Sequence, residues 1–255
     1  MPDLADFDVA LVRADNPGPF TLAGTNTWLL GRDPAWVIDP GPLAAGHLDE
    51  VLAEAERRGG VAGIALTHDH ADHAEAAAEL RRRAGDPPLG ASRAGVGTLT
   101  LADGEEFGPL TAVATPGHAP DHLAFVAGAV CFTGDAVLGE GSVYIAPDPG
   151  AMRGYLDALR RLRALPLALL CPGHGPPVFD PNAKLDEYVA HRLDRERRLL
   201  DALDRGLRAE GDLLDAAWDD APAALRPAAA VTLRAHLDKL REEDRLPPGA
   251  GEPRI

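Results

Sequence analysis

Short apolar runs separated by turn residues dominate the first part of the chain. The runs "FDVALVR", "NTWLLG" and "AWVID" are separated by Gly, Pro and Asn, which predicts three early β-strands. The segment "HLDEVLAEAERRG" has apolar residues at helical spacing and predicts an amphipathic helix. The run "VAGIALT" follows it and predicts a short buried strand that ends at Thr67.

Strands and helices continue to alternate as far as residue 178. The segment "AEAAAELRRRAG" predicts a second helix, with arginines in its last turn and Gly85 after them. Shorter strands are predicted in "LTAVATPG", "HLAFVAG" and "AVCFTGD". A third helix is predicted in "AMRGYLDALRRLRAL", and a last strand and loop in "LALLCPGHG". This order is typical of an α/β fold in which helices cover a pair of sheets.

The pattern changes near residue 180, where the chain becomes rich in Leu, Ala, Arg and Asp. A long helix is predicted in "AKLDEYVAHRLDRERRLLDAL", and shorter ones in "LLDAAWDD" and "AVTLRAHLDKLREEDRL". We therefore expect one domain over residues 1–180 and a second, helical domain over residues 181–255. The final stretch "PPGAGEPRI" is typical of disorder.

Charge and composition bear on whether the chain binds nucleic acid and on where in the cell it is found. The net charge is −15, and residues 181–255 contribute little to it because their 13 Lys and Arg nearly balance 16 Asp and Glu. The first domain therefore carries most of the negative charge, which generally disfavours binding to the phosphate backbones of nucleic acids. The N-terminus lacks a signal-peptide pattern, and no apolar run is long enough to span a membrane, so we expect a cytoplasmic protein. Cys131 and Cys171 end apolar runs and are expected to be buried free thiols.

The stretch "THDHADHAE", residues 67–75, carries the strongest chemical signal. It lies in a loop between a predicted strand and a predicted helix. In an extended loop, residues two apart point to the same side, so His68 and His70 can bind one cation together. Asp72 and His73 lie where the helix begins and can face a second position.

Other candidate ligands also follow predicted strands. His118 in "TPGHAPDH" and His174 in "CPGHGPP" each come after a Pro-Gly turn, and Asp135 ends "FTGD". Asp39 in "VIDPGP" occupies a similar position. Imidazole and carboxylate ligands without thiolate favour zinc, with iron and manganese as alternatives.

Together, "HDHADH", "TPGHAPDH", "FTGD" and "PGHG" resemble the metallo-beta-lactamase superfamily over most of residues 20–178. The resemblance implies a four-layer αββα sandwich with a dinuclear metal site, expected to hold two zinc ions, at one edge. By position it implies that His68, His70 and His118 bind one metal, that Asp72, His73 and His174 bind the other, and that Asp135 bridges them. Two such cations lower the pKa of a bridging water, whose hydroxide attacks a carbonyl carbon or a phosphorus. Asp72 is then expected to orient this nucleophile and shuttle its proton.

The remaining histidines and Asp39 leave alternatives open. Asp39 is expected to support a ligand by hydrogen bonding, or else to cap a turn at a strand end. His122 has either that supporting role or a purely structural one in its strand. His47, His191 and His236 lie on predicted helices or where these begin, and we do not expect them to bind metal.

The segments "GTNTWLLG", "VIDPGP", "CPGHGPPV" and "RAHLDKLREEDRL" are similar to the lactamase-beta-2-like branch, whose C-terminal part is winged-helix-like. Members of that branch include an endoribonuclease for single-stranded RNA and thioesterases. The resemblance therefore favours cleavage of a phosphodiester in single-stranded RNA. The alternative is hydrolysis of a small-molecule thioester, ester or lactone, which requires a narrow, partly apolar pocket.

A third, non-catalytic hypothesis is a metal-stabilised binding module, whose function would survive the replacement of Asp72. The arginines of the helical tail, Arg192, Arg195, Arg197 and Arg198, alternate with Asp194 and Glu196, so we expect paired charges on a solvated helix face. The alternatives are that the tail binds nucleic acid, roofs the active site or mediates a homodimer. No membrane partner is expected.

Overall fold

Two mixed β-sheets lie face to face in the computed structural model, which describes residues 2–247. The first sheet has the order β1 (Val9–Arg13), β2 (Asn26–Leu30), β3 (Ala35–Ile38), β4 (Val61–Ala65), β5 (Leu89–Ala91) and β6 (Leu99–Thr100). The second has the order β11 (Leu169–Pro172), β10 (Val130–Gly134), β9 (Leu123–Ala127), β8 (Leu110–Ala114) and β7 (Glu106–Phe107).

Side chains that alternate along the strands build three apolar layers. Trp28 on β2 packs between the two sheets with Phe125 and Phe132, whereas its neighbour Leu29 packs against the helical layer on the other face. Helices α1 (Ala45–Arg57) and α3 (Ala77–Arg83) cover the first sheet, and α4 (Ala151–Arg163) covers the second. The predicted four-layer αββα sandwich is therefore confirmed.

Three helices form the C-terminal part: α5 (Pro181–Asp204), α6 (Glu210–Ala217) and α7 (Arg226–Glu242). They pack around a separate apolar cluster that includes Leu199 and Leu233. Helix α5 also packs against the layer under α4 through Leu185 and Tyr188, so it contributes to both parts of the chain. The division at residue 180 remains a prediction. Residues 181–247 contain helices and turns but no strand.

The second predicted helix is divided in the structure. A short α2 (Ala71–Ala74) precedes α3, with a turn between them at residues 75–76. The Glu75 carboxylate accepts a hydrogen bond from Leu43 N–H at 3.0 Å, and Ala76 N–H donates to Gly41 O at 3.1 Å. These bonds tie the turn to the loop after β3.

Three smaller expectations concern the cysteines, membrane-spanning segments and the C-terminal tail. Cys131 and Cys171 are buried free thiols, as predicted. None of the helices in residues 2–247 combines the length and hydropathy that a bilayer-crossing segment requires. The predicted disorder of the tail falls on residues 247–255, of which all but the first lie outside the described residues.

Candidate metal centre

Five loops that follow strands converge at one edge of the two sheets, and they bring the seven predicted ligands together. The loop after β3 carries Asp39, and the loop after β4 carries His68, His70, Asp72 and His73. The loops after β8, β10 and β11 carry His118, Asp135 and His174. Because these segments are far apart in sequence, the fold alone brings them together.

The first group of side chains consists of His68, His70 and His118. The Nδ1 atom of His70 lies 3.0 Å from the Nε2 atoms of both His68 and His118. Three ring nitrogens therefore face one point, as imidazole ligands of a single cation do.

The second group consists of Asp72, His73 and His174. Asp72 Oδ2 lies 3.4 Å from the Nε2 atoms of both His73 and His174. Asp135 Oδ1 lies 3.5 Å from His73 Nε2 and 3.4 Å from His174 Nε2. Its other oxygen, Oδ2, lies 3.5 Å from His118 Nε2 in the first group. The Asp135 carboxylate thus reaches both groups.

The spacing of these donors fits metal ions better than it fits hydrogen bonds. Atoms that bind one tetrahedral zinc ion at 2.0–2.1 Å lie roughly 3.3 Å apart, close to the separations in the second group. His73 Nε2 and Asp135 Oδ1 are buried and have no hydrogen-bond partner within residues 2–247. Buried polar atoms without a partner are costly, and a shared cation would satisfy both. The residues therefore fit the two-metal site that the sequence predicts.

Asp39 orients a histidine of each group. Its Oδ2 accepts a hydrogen bond from His73 Nδ1 at 3.0 Å and from Thr67 Oγ1 at 2.7 Å. Because the Thr67 hydroxyl donates to Asp39, it accepts from His68 Nδ1 at 3.0 Å. In their neutral, metal-binding forms, both histidines then direct an unprotonated Nε2 into the site. The geometry favours the supporting role over that of a turn cap.

His122 supports Asp135 through the backbone. The Asp135 N–H donates to His122 Nε2 at 3.1 Å, and the other ring nitrogen lies 2.7 Å from Thr115 Oγ1. Burial, aided by the charge of His118, lowers the pKa of His122 to about 3, so the ring is neutral and can accept that hydrogen bond. The supporting role is again the better description.

Two residues that the sequence analysis did not single out hold the site together. Thr25 Oγ1 donates to Asp72 Oδ2 at 3.1 Å. The Asn26 amide donates to Pro172 O at 2.9 Å and to Gly175 O at 2.8 Å, and so fixes the loop that carries His174. In the sequence, the "TNT" run contributes only to the resemblance to the lactamase-beta-2-like branch. Its residue spacing does not show which distant loop its side chains contact.

The three other histidines lie outside both groups. His47 is buried and contacts Thr27 Oγ1 at 2.9 Å and Pro40 O at 3.1 Å, behind the loop after β3. His191 accepts a hydrogen bond from Arg195 Nε at 3.2 Å. His236 is buried against the Trp218 ring.

Electrostatics differ between the two groups. Burial lowers the pKa of His118 to about 4 and that of His68 well below its usual value. Burial also acts to lower the pKa of His174, but the nearby Asp135 and Asp72 carboxylates outweigh it and raise that pKa to about 9. The pKa of His73 is raised in the same way, against burial, mainly by the charge of Asp135. The second group therefore holds extra protons near neutral pH, whereas His68 and His118 are neutral.

Metal binding to the second group should release protons, because histidine binds metal in its neutral form. His174 must lose its proton below about pH 9, and His73, whose pKa is also raised, must lose one too. Affinity at this position should therefore rise with pH, by about tenfold per pH unit for each proton released. Isothermal titration of the metal-free protein with zinc at pH 7, in two buffers of different ionisation enthalpy, measures the release. Equal apparent enthalpies in both buffers would contradict the prediction.

Two cavities that share lining residues adjoin the metal centre. A mouth of about 460 Å³ lies over it and is lined by His70, Asp72 and His174. A chamber of about 480 Å³ reaches from His118 and Asp135 to the C-terminal helices. Phe20, Tyr144 and Ala228 line both cavities.

The sequence profile of the family described as "Metallo-beta-lactamase superfamily" matches residues 21–96 and 94–174. A second profile, "Beta-lactamase associated winged helix domain", matches residues 211–246. The expected superfamily and the winged-helix segment are therefore both confirmed.

Individual relatives agree with this result. The chain is 30% identical to a beta-lactamase-like protein 2 homolog of Caenorhabditis elegans, over 91% of this chain and 83% of the relative. It is 34% identical to an atrochrysone carboxyl ACP thioesterase of Aspergillus chevalieri, over 80% of this chain and 68% of the relative. It is also 34% identical to the lactamase-like protein adaB of Aspergillus niger, over 77% of this chain but only 64% of adaB.

Among solved structures, the metallo-beta-lactamase family protein TTHA1429 of Thermus thermophilus is 26% identical. The similarity covers 93% of this chain and 94% of that one, with a TM-score of 0.69. The sandwich and the C-terminal helices therefore recur together in a protein of similar size.

Proposed function

The chain belongs to the metallo-beta-lactamase superfamily of hydrolases, in its beta-lactamase-like protein 2 branch, and on that basis we propose that it hydrolyses acyl thioesters. The proposal includes two metal ions, for which zinc is the first choice and iron or manganese the alternatives.

The observation that carries the proposal is the chamber beside the metal centre. Its wall is largely apolar and includes Leu138, Val143, Trp218, Leu225 and Ala229. An apolar cavity with a few polar groups at one end is the usual form of a small-molecule site. A narrow, partly apolar pocket is also what the acyl-hydrolase hypothesis requires.

The side chains around the mouth have distinct tasks in this reaction. Bound metal ions would supply an activated water and polarise the carbonyl group. Burial acts to raise the pKa of Asp72, but the nearby His174 ring and the charge of His73 lower it to about 2, so the carboxylate is ionised. Thr25 fixes one of its oxygens, and the carboxylate can accept the proton of the attacking water.

Tyr144 also lines the mouth. Its ring packs edge to face on His118 with 4.6 Å between centroids. Burial and the charges of Asp135 and Asp72 raise its pKa, so the phenol stays neutral and can donate a hydrogen bond to the substrate.

Cleavage of single-stranded RNA is the second candidate, and the winged-helix match favours it. The charge pattern weighs against it, because phosphate contacts need unpaired Lys and Arg. On α5, Arg197 pairs with Asp194 and Asp201, and Arg198 pairs with Asp219. We therefore place thioester hydrolysis first.

One experiment separates the two candidates. The zinc-loaded protein is incubated with butanoyl-N-acetylcysteamine, and a thiol reagent reports the released thiol; a parallel sample receives an end-labelled, unstructured RNA. We expect thiol release that stops after chelation, returns with zinc, and leaves the RNA intact. Zinc-dependent RNA cleavage without thiol release would overturn the proposal in favour of the second candidate.

A further inference from the structure

We propose that the C-terminal helices form the binding chamber for the acyl chain and set the chain length that the enzyme accepts. The inference rests on the proposed thioesterase function, because it names the part of that substrate which the chamber receives. It assigns substrate selection to the C-terminal helices and bond cleavage to the sandwich.

The position of the chamber supports this assignment. Asp135 and His118 line its inner end, so a bound group is continuous with the metal centre. Trp218, Leu225 and Ala229 line it from the helical side. An acyl carbonyl at the metal centre would therefore direct its chain between the two parts of the protein.

Three hydrogen bonds join the facing wall, residues 138–146, to the helices. Leu138 N–H donates to the Tyr188 hydroxyl at 2.9 Å, and Ile145 N–H donates to Thr232 Oγ1 at 3.1 Å. Between them, the buried Arg192 guanidinium donates to Val143 O. The segment that carries Tyr144 is thus positioned by α5 and α7.

A hydrocarbon chain suits the chamber better than an anionic group does. Arg195 lines it, but its guanidinium donates to Ala217 O at 2.6 Å and pairs with Asp220 at 2.7 Å. Its Nε–H donates to His191, whose pKa burial and the nearby Arg192 and Arg195 charges lower to about 4. The Arg195 charge is therefore already balanced. Arg192 also lines the chamber, but it is buried, with its guanidinium on Val143 O and over the Tyr155 ring, so a ligand would contact mainly the apolar wall.

Ala228 on α7 provides the test position, because it lines both the mouth and the chamber and is only partly buried. Phenylalanine at this position should fill the passage between the two cavities. Ala224 is exposed in the preceding turn and lines neither cavity, so Ala224→Phe is the matched control.

The experiment measures kcat/KM for N-acetylcysteamine thioesters from acetyl to decanoyl. For the parent protein and Ala224→Phe, we expect a rise of about fourfold per methylene until the chamber is full, which is the hydrophobic gain of one buried methylene. In Ala228→Phe the rise per methylene should be lost, so that the variant falls further below Ala224→Phe with each added methylene. An equal loss for all chain lengths, or no change, would overturn the proposal.

A binding measurement keeps the proposal separate from the proposed function. Titration with fatty acids from butanoate to decanoate, followed by tryptophan fluorescence, needs no hydrolysis, and Trp218→Phe identifies the signal from the chamber. If no thioester is cleaved but Ala228→Phe weakens binding of the longer acids only, the chamber stands and the thioesterase proposal fails. If thioesters are cleaved and binding is equal in parent and variant, the chamber proposal fails. Ala228→Leu replaces the larger substitution if that variant does not fold.

Discussion

Replacing Asp72 with asparagine is expected to lower kcat for thioester hydrolysis by about 10²–10⁴-fold, the usual contribution of a positioned acid or base. Asp72 is the more accessible of the two carboxylates in the cluster, with 28% of its side chain exposed against 9% for Asp135. It can therefore contact the substrate and accept the proton of the attacking water. Asparagine preserves the shape and an oxygen ligand but cannot accept that proton at neutral pH.

The neighbouring carboxylate Asp69 offers a matched control. It lies in the same loop, is about equally exposed and pairs with Arg93. Asp69→Asn should change kcat by no more than about fivefold, the value of an exposed ion pair. Rates are measured with saturating zinc, and metal content is determined on the same samples by mass spectrometry. Full activity of metal-replete Asp72→Asn would contradict the role given to Asp72 and would favour a non-catalytic binding module.

The local part of the site could be predicted from the sequence because its geometry is local. His68, His70, Asp72 and His73 lie within six residues, so their spacing alone indicates metal binding. The distant ligands were found by a weaker signal: each follows a predicted strand, and strand ends meet at an edge of a sheet. The position after a strand indicates that a residue lies near an edge of a sheet, but it does not show which other side chains lie beside it there.

The supporting contacts could not be predicted for the same reason. Asn26 reads as one polar residue at the start of an apolar strand, yet its side chain bonds to a loop 146 residues later in the chain. Leu138 and Trp218 are apolar in the sequence, and both are buried in the structure. An apolar pattern shows that such residues avoid water, but it does not show that they line a cavity between two parts of the protein.

Gly173 shows how a residue without a side chain can be essential to the site. It lies directly before His174, where an added Cβ would be 2.5 Å from Asp135 Oδ1 and 2.6 Å from His73 Cε1. The backbone cannot retreat, because Gly173 N–H donates to Gly134 O at 2.9 Å and its carbonyl accepts from Asn26 N–H at 2.7 Å. The two side chains would have to move instead.

Gly173→Ala is therefore expected to lower kcat/KM by about 10²-fold or more, since displacements of about 1 Å in an active site have effects of that size. Metal content should fall from two ions per chain towards one, because the displaced atoms belong mainly to the second group. The control is Gly46→Ala in α1, where an added Cβ meets nothing within 4 Å. That change should leave metal content and activity unaltered. Two tightly bound metals and parent-like rates in Gly173→Ala would show that the site tolerates the methyl group, and the donor arrangement described above would have to be revised.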